Sequence, residues 1–349
     1  LSHPATIALD AMGGDHAPRM VVAGAALALR KNPDLRFLLV GDEAAIAPLL
    51  KQREALRAAA EVRHTDEVVK STDRPSQALR RGRRSSMRLA IDAVAAGEAQ
   101  GVVSAGNTGA LMAMSKFVLK TMPGIDRPAI SSFMPGIGGE CVMLDLGANI
   151  DCDEYNLVQF AIMGAAFART VLGKERPSVG LLNVGEEELK GNEAVKAAAA
   201  ILKQADLPLS FHGFIEGDDI AKATTDVVVT DGFTGNVALK AMEGASKLYS
   251  SFLRDAFTSS PLARLGYLLA RPAMMALRER VDPRRYNGGM LLGLNGISVK
   301  SHGGTDAVGF AHAVALAADM IDDGLIQHIT ADMARFGHAQ SGQRQAVVS

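Results

Sequence analysis

The sequence contains no tryptophan, four tyrosines and two cysteines in 349 residues. Cys141 and Cys152 cannot build a disulfide framework, and such sparse usage fits a reducing compartment. An excess of one charge is also missing: 37 Lys plus Arg face 38 Asp plus Glu, a formal net charge of −1. A dedicated nucleic-acid binder needs a basic excess against phosphate, so a nucleic-acid partner is not expected. No run approaches the roughly 20 apolar residues of a spanning helix. The best stretch, Gly309 to Ile321, is broken by His312 and Asp319. Leu1-Ser-His-Pro4 offers no basic segment ahead of an apolar one, so no secretion signal is expected. What remains is 48% hydrophobic residues and 35 glycines. That excludes a disordered chain and implies aliphatic packing with close backbone turns. A cytoplasmic, Gly-rich enzyme is the expectation.

Short aliphatic runs alternate with longer Ala-rich stretches. Strands are predicted at Thr6–Asp10, Arg36–Val40, Gly101–Ser104, Cys141–Leu146, Ser178–Leu182 and Asp226–Thr230, and helices from about Pro18 to Lys31 and from the Ala105–Gly109 turn to about Lys120. This succession predicts a three-layer α/β/α fold with a mostly parallel sheet. Polar residues gather just after the strands: Asp15, Asn107, Asn149, Asn183, Asn236 and His302. Ligands bind open α/β sheets at that edge, and Gly-rich turns entering helices present amides to anions. Any one of these is equally an ordinary βα turn. The set is expected to converge on one rim. No linker divides the chain, so residues 1–337 are expected to form one domain and 338–349 a flexible tail.

Nucleotide and metal signatures are weak. Gly106-Asn-Thr-Gly109 lacks the third glycine of a dinucleotide fingerprint, and no Gly-Lys-Ser/Thr loop occurs. The histidines never pair with cysteine at ligand spacing, so neither metal nor cofactor is called for. Lys190, in Gly185-Glu-Glu-Glu-Leu-Lys-Gly-Asn192, is either a surface ion-pair partner or a cation for an anionic substrate. His302 follows a short strand in Val299-Lys-Ser-His-Gly-Gly304 and is either a turn residue or a proton carrier.

Two segments are locally basic. Arg80, Arg81, Arg83 and Arg84 form a solvated face or a docking patch for an acidic partner. Between Pro261 and Leu294, Arg264, Arg271 and Arg278 recur among leucines and methionines, and six arginines against Glu279 and Asp282 leave a net charge of +4. A protruding amphipathic hairpin over about 258–294, split near Pro272, is expected to meet an anionic membrane surface or to form an oligomer interface.

The motifs Asp10-Ala-Met-Gly-Gly-Asp-His-Ala-Pro18, Ser104-Ala-Gly-Asn-Thr-Gly-Ala-Leu111, Leu144-Asp-Leu-Gly-Ala-Asn149, Gly185–Asn192, Asp231-Gly-Phe-Thr-Gly-Asn236 and Ser301-His-Gly303 together resemble the bacterial phosphate acyltransferases of the PlsX family. The resemblance runs from about Ile7 to Asp323. It implies a fold similar to isopropylmalate dehydrogenases and phosphotransacetylases. It also implies acyl transfer from acyl carrier protein to inorganic phosphate, giving acyl phosphate to a downstream glycerol-phosphate acyltransferase in phospholipid synthesis. A homodimer peripherally attached to the membrane is implied as well.

On this basis Lys190 is expected to hold phosphate, with amides of Gly106, Thr108 and Gly109 and of Gly235 and Asn236 as further donors. Asn107 and Asn236 would polarise the acyl carbonyl. His302 would hold the phosphate hydroxyl or protonate the thiolate, and Asp15 would orient a donor. Asn149, Asn183 and Ser301 complete the expected binding set. Competing readings are a phosphotransacetylase-like enzyme using coenzyme A thioesters, a related nicotinamide-dependent dehydrogenase, and a non-catalytic membrane-associated anion-binding scaffold.

Overall fold

The computed structural model describes residues 4–280, 284 and 287–348. The chain begins with β1 (Thr6–Asp10), α1 (Arg19–Lys31), β2 (Arg36–Gly41), α2 (Glu43–Lys51), α3 (Glu54–Ala59), β3 (Ala60–His64), α4 (Pro75–Arg81), α5 (Ser86–Ala95), β4 (Gly101–Ser104) and α6 (Thr108–Leu119). An antiparallel pair follows, β5 (Ala129–Gly136) and β6 (Gly139–Leu144). Next come α7 (Glu154–Leu172), β7 (Ser178–Leu182), α8 (Glu193–Gln204), β8 (Ser210–Ile215), α9 (Gly217–Lys222) and β9 (Val227–Val229). The chain continues through α10 (Gly232–Thr258), α11 (Pro261–Arg280), β10 (Gly289–Leu292), β11 (Ile297–Lys300), α12 (Ala307–Asp322) and α13 (Leu325–Val348).

The eleven strands among the described residues join one sheet in the order β3-β2-β1-β4-β11-β10-β5-β6-β9-β7-β8. Helices cover both faces. α7 is buried at every position from Asn156 to Ala168, so it is apolar all round where a surface helix would show one apolar stripe. On one side α1 lies so close to α12 that a Cβ on Gly24 would stand 2.9 Å from the Phe310 ring. On the opposite face α5 and α6 bury Met87, Ile91 and Met114 against Ala8 and Val102.

The sheet corrects the expectation of a single rim. β1, β2, β3, β4 and β11 are parallel to one another, and so are β6, β7, β8 and β9. β10 is antiparallel to both β11 and β5, and β5 to β6, so the two parallel blocks run in opposite directions. Register explains why their ends still meet: Val299 pairs with Met290, Met290 with Ser131, and Ser131 with Leu144. Leu144, the last residue of β6, is therefore level with Val299, the next to last of β11, while β5 runs on past that level to Gly136. Each block points its carboxyl ends at the other, and the polar turns form two opposed rims. β11 and β6 are three strands apart, roughly 14 Å along the sheet.

The hairpin also differs from its sequence-based placement. Its arms are α10 and α11, and Gly289–Leu292 is a sheet strand instead of part of the second arm. α11 continues through Pro272. Only Gly232 and Gly235 of α10 are buried, so the arms project from the body. Phe257 packs on Tyr267 across the tip, ring centroids 5.4 Å apart. At the carboxyl terminus α13 runs to Val348, where the sequence suggested a tail from residue 338.

Candidate active site

The first rim gathers the turns after β1, β4 and β11. The Asp15 amide donates to the Gly303 carbonyl at 2.9 Å, and the Ser301 amide to Ser104 at 2.9 Å, which ties the three turns together. Asp15 and His302 are exposed on this rim, and an added Cβ on Gly304 would touch both (3.4 Å to Asp15 Oδ2, 3.8 Å to His302 Cε1). The Gly304 amide donates to His302 Nδ1 at 3.2 Å, and the His302 amide to Asn287 Oδ1 at 2.8 Å. Ser301, fully buried, accepts from Asn287 Nδ2 at 2.9 Å.

α6 starts at this rim. Its N-cap Asn107 accepts from the Ala110 amide, leaving the Thr108 and Gly109 amides ahead of the helix's own hydrogen-bond ladder. The remaining roles expected for this turn need correction. Asn107 Nδ2 donates to the carbonyls of Lys70, Ser71 and Asp73, so it anchors a loop and has no hydrogen left for an acyl carbonyl. The Gly106 amide is bonded to Ser104 Oγ at 3.0 Å.

The second rim is organised by Asp145. Its carboxylate accepts from the amides of Ile130, Gly147, Ala148 and Asn149 and from Asn149 Nδ2. Burial holds its carboxyl above the usual range, against the opposing pull of those hydrogen bonds. Asn149 also donates to Pro128 and is buried, so it braces the turn. The Gly235 amide, expected to face an anion, already serves the helix by donating to Asp231 at 2.9 Å, because α10 begins three residues earlier. Asn236 Nδ2 donates to the Leu146 carbonyl at 3.0 Å. Asn183 Nδ2 donates to Gly185 and Lys190 and shapes the loop after β7. Lys190 itself is exposed and pairs with Glu187 at 2.9 Å, which holds its ammonium above the ordinary lysine value.

Of the four residues expected to act together, Asn107 and His302 lie on the first rim, and Asn236 and Lys190 on the second. No hydrogen bond or ion pair among the described residues joins any two of them. Neither cysteine offers a nucleophile. Burial, reinforced by Asp226 at Cys141 and by Asp145 and Asp231 at Cys152, pushes both thiols up to about 12.

The arrangement of two facing blocks recurs in solved structures. A phosphotransacetylase from Streptococcus pyogenes superposes with a TM-score of 0.59 at 17% identity, covering 91% of this chain and 94% of that one. The EutD phosphotransacetylase from Staphylococcus aureus gives 0.58 at 18% with the same coverage. At such identities these matches define the fold. Sequence decides the family. The profile of the family described as "Fatty acid synthesis protein" matches residues 5–328. The phosphate acyltransferase of Rhodospirillum centenum is 62% identical over 329 residues, 94% of this chain and 93% of that protein. That of Paramagnetospirillum magneticum is 57% identical over 345 residues, covering 99% and 98%.

The chain belongs to the phosphate acyltransferase family.

It is accordingly an acyltransferase. For a phosphate acyltransferase the absence of a reactive thiol is intelligible, since phosphate itself is the nucleophile and no covalent enzyme intermediate is required. Sequence reasoning passed over one polar side chain of the first rim, Lys300. It was legible as an alternation: Ile297 and Val299 face one core while Ser298 and Lys300 face the other, which puts a lysine on a buried face of β11.

Proposed function

We propose that the protein transfers a fatty acyl group from the thioester of acyl carrier protein to inorganic phosphate. The observation that carries this reading is the pair of facing rims, one of which presents the bare Thr108 and Gly109 amides beside a basic loop. Monohydrogen phosphate bound there attacks the thioester carbon. A C–O bond forms, the tetrahedral oxyanion collapses with cleavage of the C–S bond, and the phosphate's proton ends on the departing sulfur. Atoms and charge balance without an enzyme acid. Catalysis then consists of holding the two substrates together and stabilising the oxyanion. In this scheme Asp15 and His302 flank the phosphate, and Lys190 reaches it from the opposite rim when the two blocks close.

Several features support the donor. Arg80 and Arg81 in the last turn of α4 and Arg83 and Arg84 just beyond it are exposed, and a Cβ on Gly109 would stand 2.6 Å from Pro75 at the start of that helix. An acidic carrier protein docked on these arginines would deliver its thioester to the α6 N-terminus. The acyl chain has an exit along the hairpin, whose exposed apolar residues begin with Phe233 and Val237 beside Asn236 and continue through Phe252, Leu265 and Leu269. The test incubates the purified protein with acyl carrier protein thioester or acyl coenzyme A, with and without phosphate. Acyl phosphate and free thiol are expected only with phosphate, and faster with the carrier protein. A preference for coenzyme A would favour the phosphotransacetylase-like reading, and no turnover would favour the anion-binding scaffold.

No helix among the described residues is long and apolar enough to cross a membrane. The hairpin supports a peripheral mode, with Arg264 and Arg271 exposed beside Leu262, Leu265, Leu268 and Leu269. Arg278 belongs to the same sequence pattern, but its side chain lies outside the described residues. Reversing Arg264 and Arg271 to glutamate is expected to weaken binding to anionic vesicles roughly tenfold or more, read by flotation. Equal flotation of variant and wild type would instead assign the hairpin to a homodimer interface. The acyl phosphate product is a reactive anhydride, suited to the glycerol-phosphate acyltransferase step proposed to consume it.

A further inference from the structure

Three adjacent parallel strands of the first block end in Asp10, Ser104 and Lys300. Lys300 is paired with Ser104, and the pairing of Leu9 with Val103 sets Asp10 level with them. Alternation turns all three toward the face covered by α5 and α6, as the contact between Ser298 Oγ and Ser115 Oγ of α6 at 3.1 Å shows for β11. A carboxylate, a hydroxyl and an ammonium thus stand in a row at the strand ends, on the rim where the Gly106–Gly109 turn leaves β4.

Asp10 is fixed in this row. Its two oxygens accept from Ser86 Oγ and Ser104 Oγ, both at 2.6 Å, and Ser104 Oγ in turn accepts the Gly106 amide. An ideal Cβ on Gly13 would lie 2.5 Å from Asp10 Oδ2 and 2.8 Å from the Gly106 nitrogen, so nothing here has room to move. Lys300 is different. Among the described residues its ammonium makes no ion pair, and its hydrogen bond goes to the Ser301 carbonyl. Burial lowers it to about 8 against the pull of Asp10 and Asp15. A partly desolvated cation with no direct ion-pair partner is unfavourable, and an anion arriving at this rim, which also carries the bare Thr108 and Gly109 amides, would relieve it.

We infer that Lys300 is a phosphate-binding residue of this acyltransferase, its Nζ meeting a phosphate oxygen above the Gly106–Gly109 turn, with Asp10, Ser86 and Ser104 as positioning residues for that turn. The inference rests on the proposed function and adds a second cation, on the rim opposite Lys190. The ammonium must be charged to act, so phosphate affinity falls as pH rises through about 8. The charged groups facing it are Asp10 on β1 and Asp15 on the next loop; its neighbours on β4 and β10, Ser104 and Gly289, are uncharged. Phosphate gains its second negative charge as pH rises through neutrality, which opposes this trend in the lower part of the range, so the fall assigned to Lys300 is read on the alkaline side, where phosphate's own titration is complete.

The experiment is equilibrium dialysis of labelled inorganic phosphate against the full chain, across roughly three pH units centred on about 8. Lys300→Met is expected to weaken phosphate binding roughly ten- to hundredfold and to abolish the alkaline fall. Lys300→Arg should keep binding and move the fall to higher pH, because guanidinium stays charged. Equal phosphate affinity in wild type and Lys300→Met, or an unchanged alkaline fall in Lys300→Arg, would overturn the assignment. Should Lys300→Met fail to fold by circular dichroism, the arginine variant decides alone. Phosphate binding that follows these expectations without thioester turnover in the wild type would sink the proposed function and leave Lys300 standing. Turnover in wild type with phosphate binding indifferent to Lys300 would do the reverse.

Discussion

Gly235→Ala is expected to destabilise the protein by about 3 kcal/mol or more and to lower Tm by roughly 5–10 °C. The added methyl would sit 1.9 Å from the Asp145 carbonyl oxygen and 3.0 Å from both the Asp145 carbonyl carbon and Thr230 Cγ2. A flexible side chain could retreat from such a clash, but these are mostly backbone atoms held on several sides. The Asp145 amide is bonded to Thr230, and its carboxylate gathers four amides, that of Ile130 in β5 and those of the 147–149 turn. Pushing α10 outward would also break the Asn236–Leu146 bond and tilt the hairpin. Gly244→Ala is the control within the same helix. Nothing lies within 4 Å of its Cβ position, so alanine should be neutral or stabilise by about 0.5–1 kcal/mol through helix propensity. Thermal melts of both variants check the contrast. Similar melting of the two would mean that α10 can slide off Asp145.

The same glycine shows where sequence reading stops. Gly235 stood in a turn motif, and a glycine in a turn signals close approach without saying to what. The structure answers that the partner is the Asp145 backbone. Strand cores with strong apolar patterning, such as Gly101–Ser104 and Ser178–Leu182, were legible to the residue. The antiparallel strands β5 and β10 were not, because Ala129–Gly136 carries serines and a proline and Gly289–Leu292 is too short to show a period. Yet these two strands reverse the direction of the second block and create facing rims instead of one. The asparagines after the strands were located correctly but misread in role. From sequence an amide at a strand end looks like a free donor, whereas Asn107, Asn149 and Asn183 all donate to backbone carbonyls of their own or neighbouring loops. Whether a polar side chain is free or already engaged depends on tertiary contacts as distant as Lys70 is from Asn107.

His302→Ala is expected to lower kcat/KM for phosphate by about 10²–10³-fold, while His302→Gln stays within about tenfold of wild type. The argument starts from the ring's hydrogen bonds. The Gly304 amide donates to Nδ1, so Nδ1 is the acceptor nitrogen and the neutral ring carries its proton on Nε2. On the other side the His302 amide is held by Asn287, a buried residue that also bonds Ser301 and Thr305. The ring is thus a donor of fixed direction at the exposed rim, next to Asp15. Glutamine can present an amide hydrogen over a similar reach, whereas alanine leaves the phosphate oxygen without that partner. Since the proton needed by the leaving thiolate is carried by monohydrogen phosphate, the histidine need not exchange one. The pH dependence of His302→Gln should therefore match the wild type, including the alkaline fall assigned to Lys300. A glutamine variant as inactive as the alanine one, with an altered pH profile, would show that the ring transfers a proton in the rate-limiting step and would return His302 to general acid–base catalysis.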